Sequence, residues 1–392
     1  MSVSLVNARV LLEDGSVEKT EILIEGGVIQ AIGTGAVTGR AFDLDDRLVL
    51  PGIIDLHGDG YERSLMPRTG THFPIDIALI DADRSILSSG ITTAFLAQGV
   101  SWEGGIRSSK TAEEILTAIE RGRKRFGADL QFHLRFETFA IEEQETAMRW
   151  LEDGRVSMLV FNDHLPQFEQ SLRETPDKMQ RWAHQLGMTF DDFRAEVRAR
   201  RAREDEAEET VRRIAELARQ VGVPTGSHDD DTPELRQHYN AMGARIAEFP
   251  VNLETARAAR ALGNPVGMGA PNALRGGSAS GNVSALSVIE EGLCDYLISD
   301  YYYPAQFHAA FKLAADGVLP LGSAWGLVSA GPAKVGGLDD RGVIAVGKRA
   351  DMIVVDDSDK ALPKVDFAVV NGALSYASEP YRVAALPELF PV

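Results

Sequence analysis

The sequence predicts an α/β protein: a (β/α)₈ TIM barrel with a small β-sandwich domain built from both chain ends. Two observations carry this. Residues 51–320 alternate short apolar runs with helical segments, the pattern of parallel βαβ units. Eight such runs over about 270 residues fit the usual size of a closed barrel. The ends, 1–50 and 321–392, are assigned to the second domain. VSLVNARVLL, EILIEGGVIQAIG and RAFDLDDRLVLPG alternate apolar and polar residues between glycines, and from about residue 340 GVIAVGKRADMIVVD and VDFAVVNGALSY return to that style.

The eight barrel strands are read, in order, as GIIDLH, ITTAFLAQ, LQFHLRFE, RVSMLVFND, GVPTGSHD, RIAEFPV, NPVGMGAP and CDYLISD. TAEEILTAIERGRKRF and SALSVIEEGL are among the helical segments between them. The stretch DDFRAEVRARRAREDEAEETVRRIAELARQ reads as one long solvated helix before the fifth strand, because acids interleave its bases. There is no internal repeat and no low-complexity linker.

An apolar share of 44% and a charged share of 25% are those of an ordinary globular protein. The net charge of -18 disfavours a nucleic-acid surface. It leaves room for a small anionic substrate, since cations held by carboxylates reverse the local field. No window reaches the roughly 18 apolar residues of a membrane span, and the N-terminus lacks the basic start of a signal peptide, so a cytoplasmic location is expected. Cys294 is the single cysteine, which leaves no disulfide within the chain and no cysteine metal site. It reads as a buried small hydrophobe.

Polar groups at the C-terminal ends of barrel strands face the active site, and ligand-type residues gather there. His57 and Asp59 lie two apart at the end of the first strand and share a face. Histidine nitrogen and carboxylate oxygen suit Zn²⁺ or Mn²⁺, although such a pair is also ordinary loop polarity. On the third strand His133, Arg135 and Glu137 share one face, with Glu137 nearest the mouth, placed to bridge two cations or to pair with Arg135. His228 ends the fifth strand, Glu248 interrupts the apolar sixth, and Asp300 closes the eighth as a cap or as a ligand and base. Four carboxylates, Asp59, Glu137, Glu248 and Asp300, would balance two divalent cations and would repel one another without them.

The seventh strand leads into PNALRGGSASGNVSA. Gly276, Gly277 and Gly281 let the backbone approach a ligand; Ser278, Ser280 and Asn282 can donate hydrogen bonds; Arg275 offers a fork for phosphate oxygens. With a helix beginning near Val283, the segment reads as a polyphosphate cradle or as a ligand-free flexible loop.

LPGIIDLHGD, the distant Asp300 and the closing GVIAVGKRADMIVVD resemble the amidohydrolase superfamily. Within it, LHGD, MPRTG, HLRFE, NDHLP, SHDDDT, AEFP with LETARAARALG, and MGAPNALRGGSASGNVSA with LISDYY are most similar to the α-D-ribose 1-methylphosphonate 5-triphosphate diphosphatases of phosphonate breakdown. The likeness runs from about residue 49 to 303. It implies a two-metal centre of His57, Asp59, Glu137, His228 and Asp300, with Glu248 where many members have histidine. It also implies that Arg68, His164, Asn272 and the Arg275 loop face the phosphate chain. The chain departs from the family at Gly60, Tyr61, Arg63 and Ser64, and at Ala279, all toward the substrate pocket.

The activity expected is therefore hydrolysis of a phosphoanhydride with release of pyrophosphate, Asp300 accepting the proton of the attacking water and His164 assisting. Cleavage of a C–N bond by the same centre is the alternative, and a non-catalytic scaffold on the same barrel is a third reading. A small phosphorylated substrate is the expected partner, with homo-oligomerisation open.

Overall fold

The computed structural model describes residues 2–33, 35, 40–68, 70–278 and 281–378. Eight parallel strands form the barrel wall. The terminal strands are β1 (Ser2–Leu11), β2 (Val17–Glu25), β3 (Val28–Ile32), β4 (Arg40–Asp43) and β5 (Leu48–Pro51). The barrel strands follow: β6 (Ile53–Gly58), β7 (Ile91–Val100), β8 (Asp129–Glu137), β9 (Met158–Asn162), β10 (Thr225–His228), β11 (Ile246–Glu248), β12 (Val266–Gly269) and β13 (Tyr296–Ile298). Each falls in one of the eight apolar runs read from the sequence. β6 and β9 are buried at every position, as a strand covered by helices outside and packed inside must be.

The wall runs from β13 through consecutive neighbours to β6. Its seam is closed by single contacts between the first and last strands. Asp300 N donates to His57 O and Asp59 N to Asp300 O, each at 3.0 Å. Asp55, fully buried on β6, accepts from Ser299 N at 3.0 Å and from Ser299 Oγ at 2.5 Å. Gln306 Nε2 donates across the same seam to Leu297 O at 2.8 Å and Ile54 O at 3.3 Å. The close approach explains Gly58: a Cβ there would stand 2.6 Å from Asp55 Oδ2 and 2.8 Å from the Tyr303 ring.

The second sheet joins both chain ends in the order β16–β15–β14–β5–β1–β2–β3, with β4 beside β1. Its last strands are β14 (Met352–Asp356), β15 (Lys364–Val370) and β16 (Ala373–Ala377). β5 pairs parallel with β1 and antiparallel with β14, so the two ends meet one residue before the barrel begins. Val3, Leu5, Ile22, Met352 and Phe367 are among the side chains of its own core. The sheet resumes at Met352, later than residue 321. The helices Leu321–Gly326 and Ala330–Val335 between lie against the barrel, where Trp325 is fully buried in the main core and its Nε1 donates to Pro51 O at 3.0 Å. Residues 379–392 of the expected domain lie outside the described residues.

Two helical features differ from the sequence reading. The segment expected as one long helix is two, Phe190–Arg201 and Glu204–Val221. Ahead of them come Leu165–Glu174 and Pro176–Gln185, and these helices enclose a separate apolar cluster containing Phe139, Met179, Phe193 and Val197. Cys294 is half-buried against the main core, and burial pushes its thiol up to about 12. No helix among the described residues is long and apolar enough to cross a membrane.

Candidate metal centre

Parallel pairing sets His228 of β10 directly beside Glu248 of β11. Across the barrel, His57 Nδ1 at the end of β6 lies 2.7 Å from Glu248 Oε2. His57, His228 and Glu248 each offer a ligand atom, all within 4.8 Å of one another. His57 and Glu248 are buried, and the His228 side chain is 11% exposed. Burial, reinforced by the Arg135 charge, holds His57 well below the usual histidine range. Burial would also depress His228, but the Asp229 carboxylate at 3.1 Å outweighs it and leaves His228 raised. Tyr296 donates to Glu248 Oε1 at 3.3 Å, orienting the carboxylate from behind.

His133 adds a third imidazole. Its Nδ1 donates to Leu56 O at 2.8 Å, which leaves Nε2 as a lone-pair nitrogen. That Nε2 is buried without a hydrogen-bond partner, and the ring stands edge-on to His57 with centroids 5.1 Å apart. Burial pushes His133 down to about 3, so it is neutral at physiological pH. Imidazole nitrogens beside a carboxylate, one of them orphaned in a dry interior, fit a borderline divalent cation such as zinc.

Three strand ends turn into left-handed backbone: Asp229 (φ 59°), Phe249 (φ 53°) and Asp300 (φ 55°). Non-glycine residues adopt this region at a cost of about 1–3 kcal/mol, so surrounding contacts must hold them there. Asp229 N donates to Glu248 O, and Phe249 N to Gly267 O, both at 2.9 Å. The Phe249 ring then packs on His228 and His57, with centroids 4.9 and 5.8 Å apart. Asp300 lines one cavity with Asp59 and His228. Burial, then the Asp59 charge, pushes Asp300 up to about 7, in the range useful to a proton acceptor.

Above these groups opens a cavity of about 300 Å³. His57, Asp59, His228 and Asp300 contribute to its lining, as do Asn272, Arg275, Gly277, Ser278 and Asn282 of the glycine loop. Arg107 and Arg135 line it too, and so does Asp229. Glu248 lies fully buried beneath. Glu137 and His164 are not brought into this group; they line an adjoining recess shared with Arg107 and Arg135. There Glu137 Oε2 accepts from His164 Nδ1 at 2.6 Å and Oε1 from His164 N at 2.9 Å. The shared face on β8 is therefore observed, but neither a bridge from Glu137 to the other ligands nor an Arg135–Glu137 pair is.

Other expected contacts also fall differently. Arg68 is exposed on the loop before β7, bridged to Thr71, and does not line the cavity. Gly276 ends the helix Ala270–Arg275 with φ 82° and is likewise exposed outside the lining. Asn272 spends its amide on the loop itself, donating to Val283 O at 3.1 Å and accepting from Ala285 N at 3.0 Å. The following helix starts at Ala285, with Ser284 as its cap. Ala279 and Ser280 lie outside the described residues.

Sequence reasoning left Arg107, Asp229 and His133 without roles and gave Arg135 only a pairing with Glu137. Arg135 and His133 were visible as polar residues on a barrel face, a signal in itself. Asp229 followed His228 directly. Arg107 belongs to the turn after β7 and carried no signal.

The amidohydrolase family model matches residues 48–378. The α-D-ribose 1-methylphosphonate 5-triphosphate diphosphatase of Escherichia coli (strain K12) is 33% identical over 362 residues, covering 90% of this chain and 95% of that protein. Among solved structures, the chain is similar to the N-acetylglucosamine-6-phosphate deacetylase of Pasteurella multocida (TM-score 0.64, 13% identity, 96% and 100% of the two chains). Phenylurea hydrolase B is comparable (TM-score 0.66, 16% identity, 100% and 99%). At such identities these two share the fold alone. The family match and the 33% relative, across nearly the whole length, go further: this chain belongs to the amidohydrolase family.

Proposed function

We propose that this chain is a metal-dependent hydrolase that cleaves a phosphoanhydride of a ribose 5-triphosphate, α-D-ribose 1-methylphosphonate 5-triphosphate or a related compound, releasing pyrophosphate in phosphonate metabolism. One observation carries the reading: a cavity of about 300 Å³ whose lining joins His57, His228 and Asp300 to three arginines, Arg107, Arg135 and Arg275. In a chain of net charge -18, a cluster of guanidiniums over such a centre marks a place for a polyanion. The 33% relative is named for that substrate and supports the same choice.

His57, His228 and Glu248 would hold a divalent cation, zinc or manganese, with His133 beside them. When bound, such a cation acidifies water and withdraws charge from a phosphoryl oxygen. Asp300, poised by burial, takes the proton of the attacking water. Arg135 and Arg107 receive charge that develops on the equatorial oxygens, and Arg275, on the exposed rim, orients the outer phosphates. Asn272 ties Val283 and Ala285 to its own helix, and Ser278 and Asn282 line the cavity where they can meet the ligand.

The test is a panel. Purified protein loaded with zinc or manganese is offered ribose 5-triphosphate compounds, nucleoside triphosphates, N-acyl sugars and cyclic amides. Pyrophosphate release from the ribose triphosphates alone supports the proposal. Hydrolysis of an amide instead would transfer the chain to C–N chemistry, and no turnover of any class would favour a scaffold.

A further inference from the structure

β12 turns no side chain into the barrel. Its residues alternate Val266, Gly267, Met268, Gly269; Val266 and Met268 pack in the main core among the helices, so both inward positions are glycine. Glycine in a strand interior marks the close approach of another group, and each gap here is filled from a neighbouring strand. A Cβ on Gly269 would stand 2.9 Å from the ring of Phe249, which packs on His57 and His228. A Cβ on Gly267 would stand 2.3 Å from Cζ of Tyr296 and 2.5 Å from its hydroxyl oxygen.

The register makes the second gap specific. Gly267 pairs with Glu248 of β11 on one side and with Tyr296 of β13 on the other, so the three lie abreast across the wall. At a strand spacing of about 4.8 Å, Glu248 and Tyr296 start roughly 9–10 Å apart. The phenol crosses that distance over Gly267, and its oxygen ends 3.3 Å from Glu248 Oε1, with both side chains fully buried. The Tyr296 ring belongs to the inner barrel core with Leu56, Ile246 and Ile298, so packing holds it in place whatever occupies the site above. Glu248 Oε2 is left on the side of His57. A carboxylate has two oxygens to satisfy, and one left without donor or cation in a dry interior is costly.

We propose that Tyr296 is the positioning residue that lets a carboxylate serve as the ligand at position 248, reaching it through the gap that Gly267 leaves. The inference rests on the metal dependence of the function proposed above, and adds to it the part of the barrel that prepares the site. The phenol takes Oε1 and leaves Oε2 to face the cation. A histidine at this position, which the resemblance places in many members, brings neither the charge nor the second oxygen. Glu248, Gly267 and Tyr296 therefore belong together as one set.

Zinc affinity measured without substrate tests this independently of which bond is cleaved. Tyr296→Phe removes one oxygen and keeps the ring. Metal-free protein is titrated with Zn²⁺ against a competing chelator dye, for the parent, Tyr296→Phe, Glu248→Leu and the double variant. Loss of an outer partner of a metal ligand typically costs about 10–100-fold in affinity, and Tyr296→Phe should lose that much in the parent. With the carboxylate gone in Glu248→Leu, the same change should alter Kd less than about threefold. Co²⁺ in place of zinc adds a spectroscopic readout: its visible absorption follows ligand geometry, and Tyr296→Phe should shift it only where Glu248 is present. Equal losses in both backgrounds, the mark of a packing role, or an unchanged Kd in Tyr296→Phe overturn the proposal. A parent that takes up no zinc fails earlier, at the metal dependence itself, and removes both readings.

Discussion

Replacing Arg236 with methionine tests how the His228 turn is held. Arg236 is fully buried on the helix after β10, and Asp230 beside it is 1% exposed. Arg236 Nη1 donates to Asp230 Oδ2 at 3.0 Å, Ser227 Oγ at 2.7 Å and Ile246 O at 3.0 Å, while Nη2 donates to Ala244 O. One guanidinium thus ties the residues flanking His228 to the strand that bears Glu248. Burial dominates both partners, raising Asp230 and lowering Arg236 despite their pairing. The intact pair therefore contributes little net stability, yet breaking it is costly because the carboxylate is stranded. Loss of one partner of a buried pair costs about 3–5 kcal/mol. With a urea dependence near the upper end for small proteins, about 3 kcal/mol per molar, that is a midpoint shift of roughly 1–2 M. Urea unfolding followed by tryptophan fluorescence measures it, with zinc affinity as a second readout, since the β10 turn aims His228. Adding Asp230→Asn in the same chain removes the stranded charge and should restore more than half of the lost stability. A midpoint shift below about 0.3 M, or no recovery in the double variant, would refute the reasoning.

Three further outcomes are expected. Asp300→Asn should reduce kcat by about a thousandfold or more while metal content, read by elemental analysis, is retained; substantial residual turnover counts against its role as proton acceptor. Arg275→Ala should raise KM for a ribose triphosphate about tenfold with a smaller change in kcat, because an exposed charge–phosphate contact is worth roughly 1–2 kcal/mol; steady-state kinetics decides, and an unchanged KM removes Arg275 from the site. At the barrel's other end, burial would raise Asp129, but hydrogen bonds from Arg341 (2.6 Å) and Arg349 (2.9 Å) outweigh it and hold the carboxyl below its ordinary value. A carboxylate depressed in the folded state contributes stability above its unfolded pKa of about 3.9 and loses it as pH falls through the lower folded value. The stability difference between the parent and Asp129→Asn should therefore be full at pH 7 and shrink below about pH 4, as unfolding at a series of pH values would show; a difference that grows on acidification contradicts the assignment.

The barrel was legible because its strands are apolar runs with few competing signals, and GIIDLH, ITTAFLAQ and LQFHLRFE fall on β6, β7 and β8. The break between Phe190–Arg201 and Glu204–Val221 was not, since no glycine or proline marks it. Arg200 and Arg203 on either side both grip Glu142, a tertiary contact invisible to local propensity. The short helices Leu165–Glu174 and Pro176–Gln185 arise in polar sequence whose few apolar residues find partners only in the folded chain. At the site, the strand-end rule singled out His57, His228, Glu248 and Asp300. It could not rank the β8 residues, because periodicity fixes the face of a strand and not its partners. Glu137 and Arg135 share that face, yet one turns to His164 and the other to Asp59. Asn272 lines the cavity, and its amide also ties Val283 and Ala285, a contact that local sequence does not show.

Anomalous diffraction from zinc-soaked crystals, collected on both sides of the zinc absorption edge, bears on the central claim most directly. A strong peak within bonding distance of His57, His228 and Glu248 is the result this account requires. A peak held by Glu137 and Asp59 instead, or none near the three residues at full zinc loading, would contradict it.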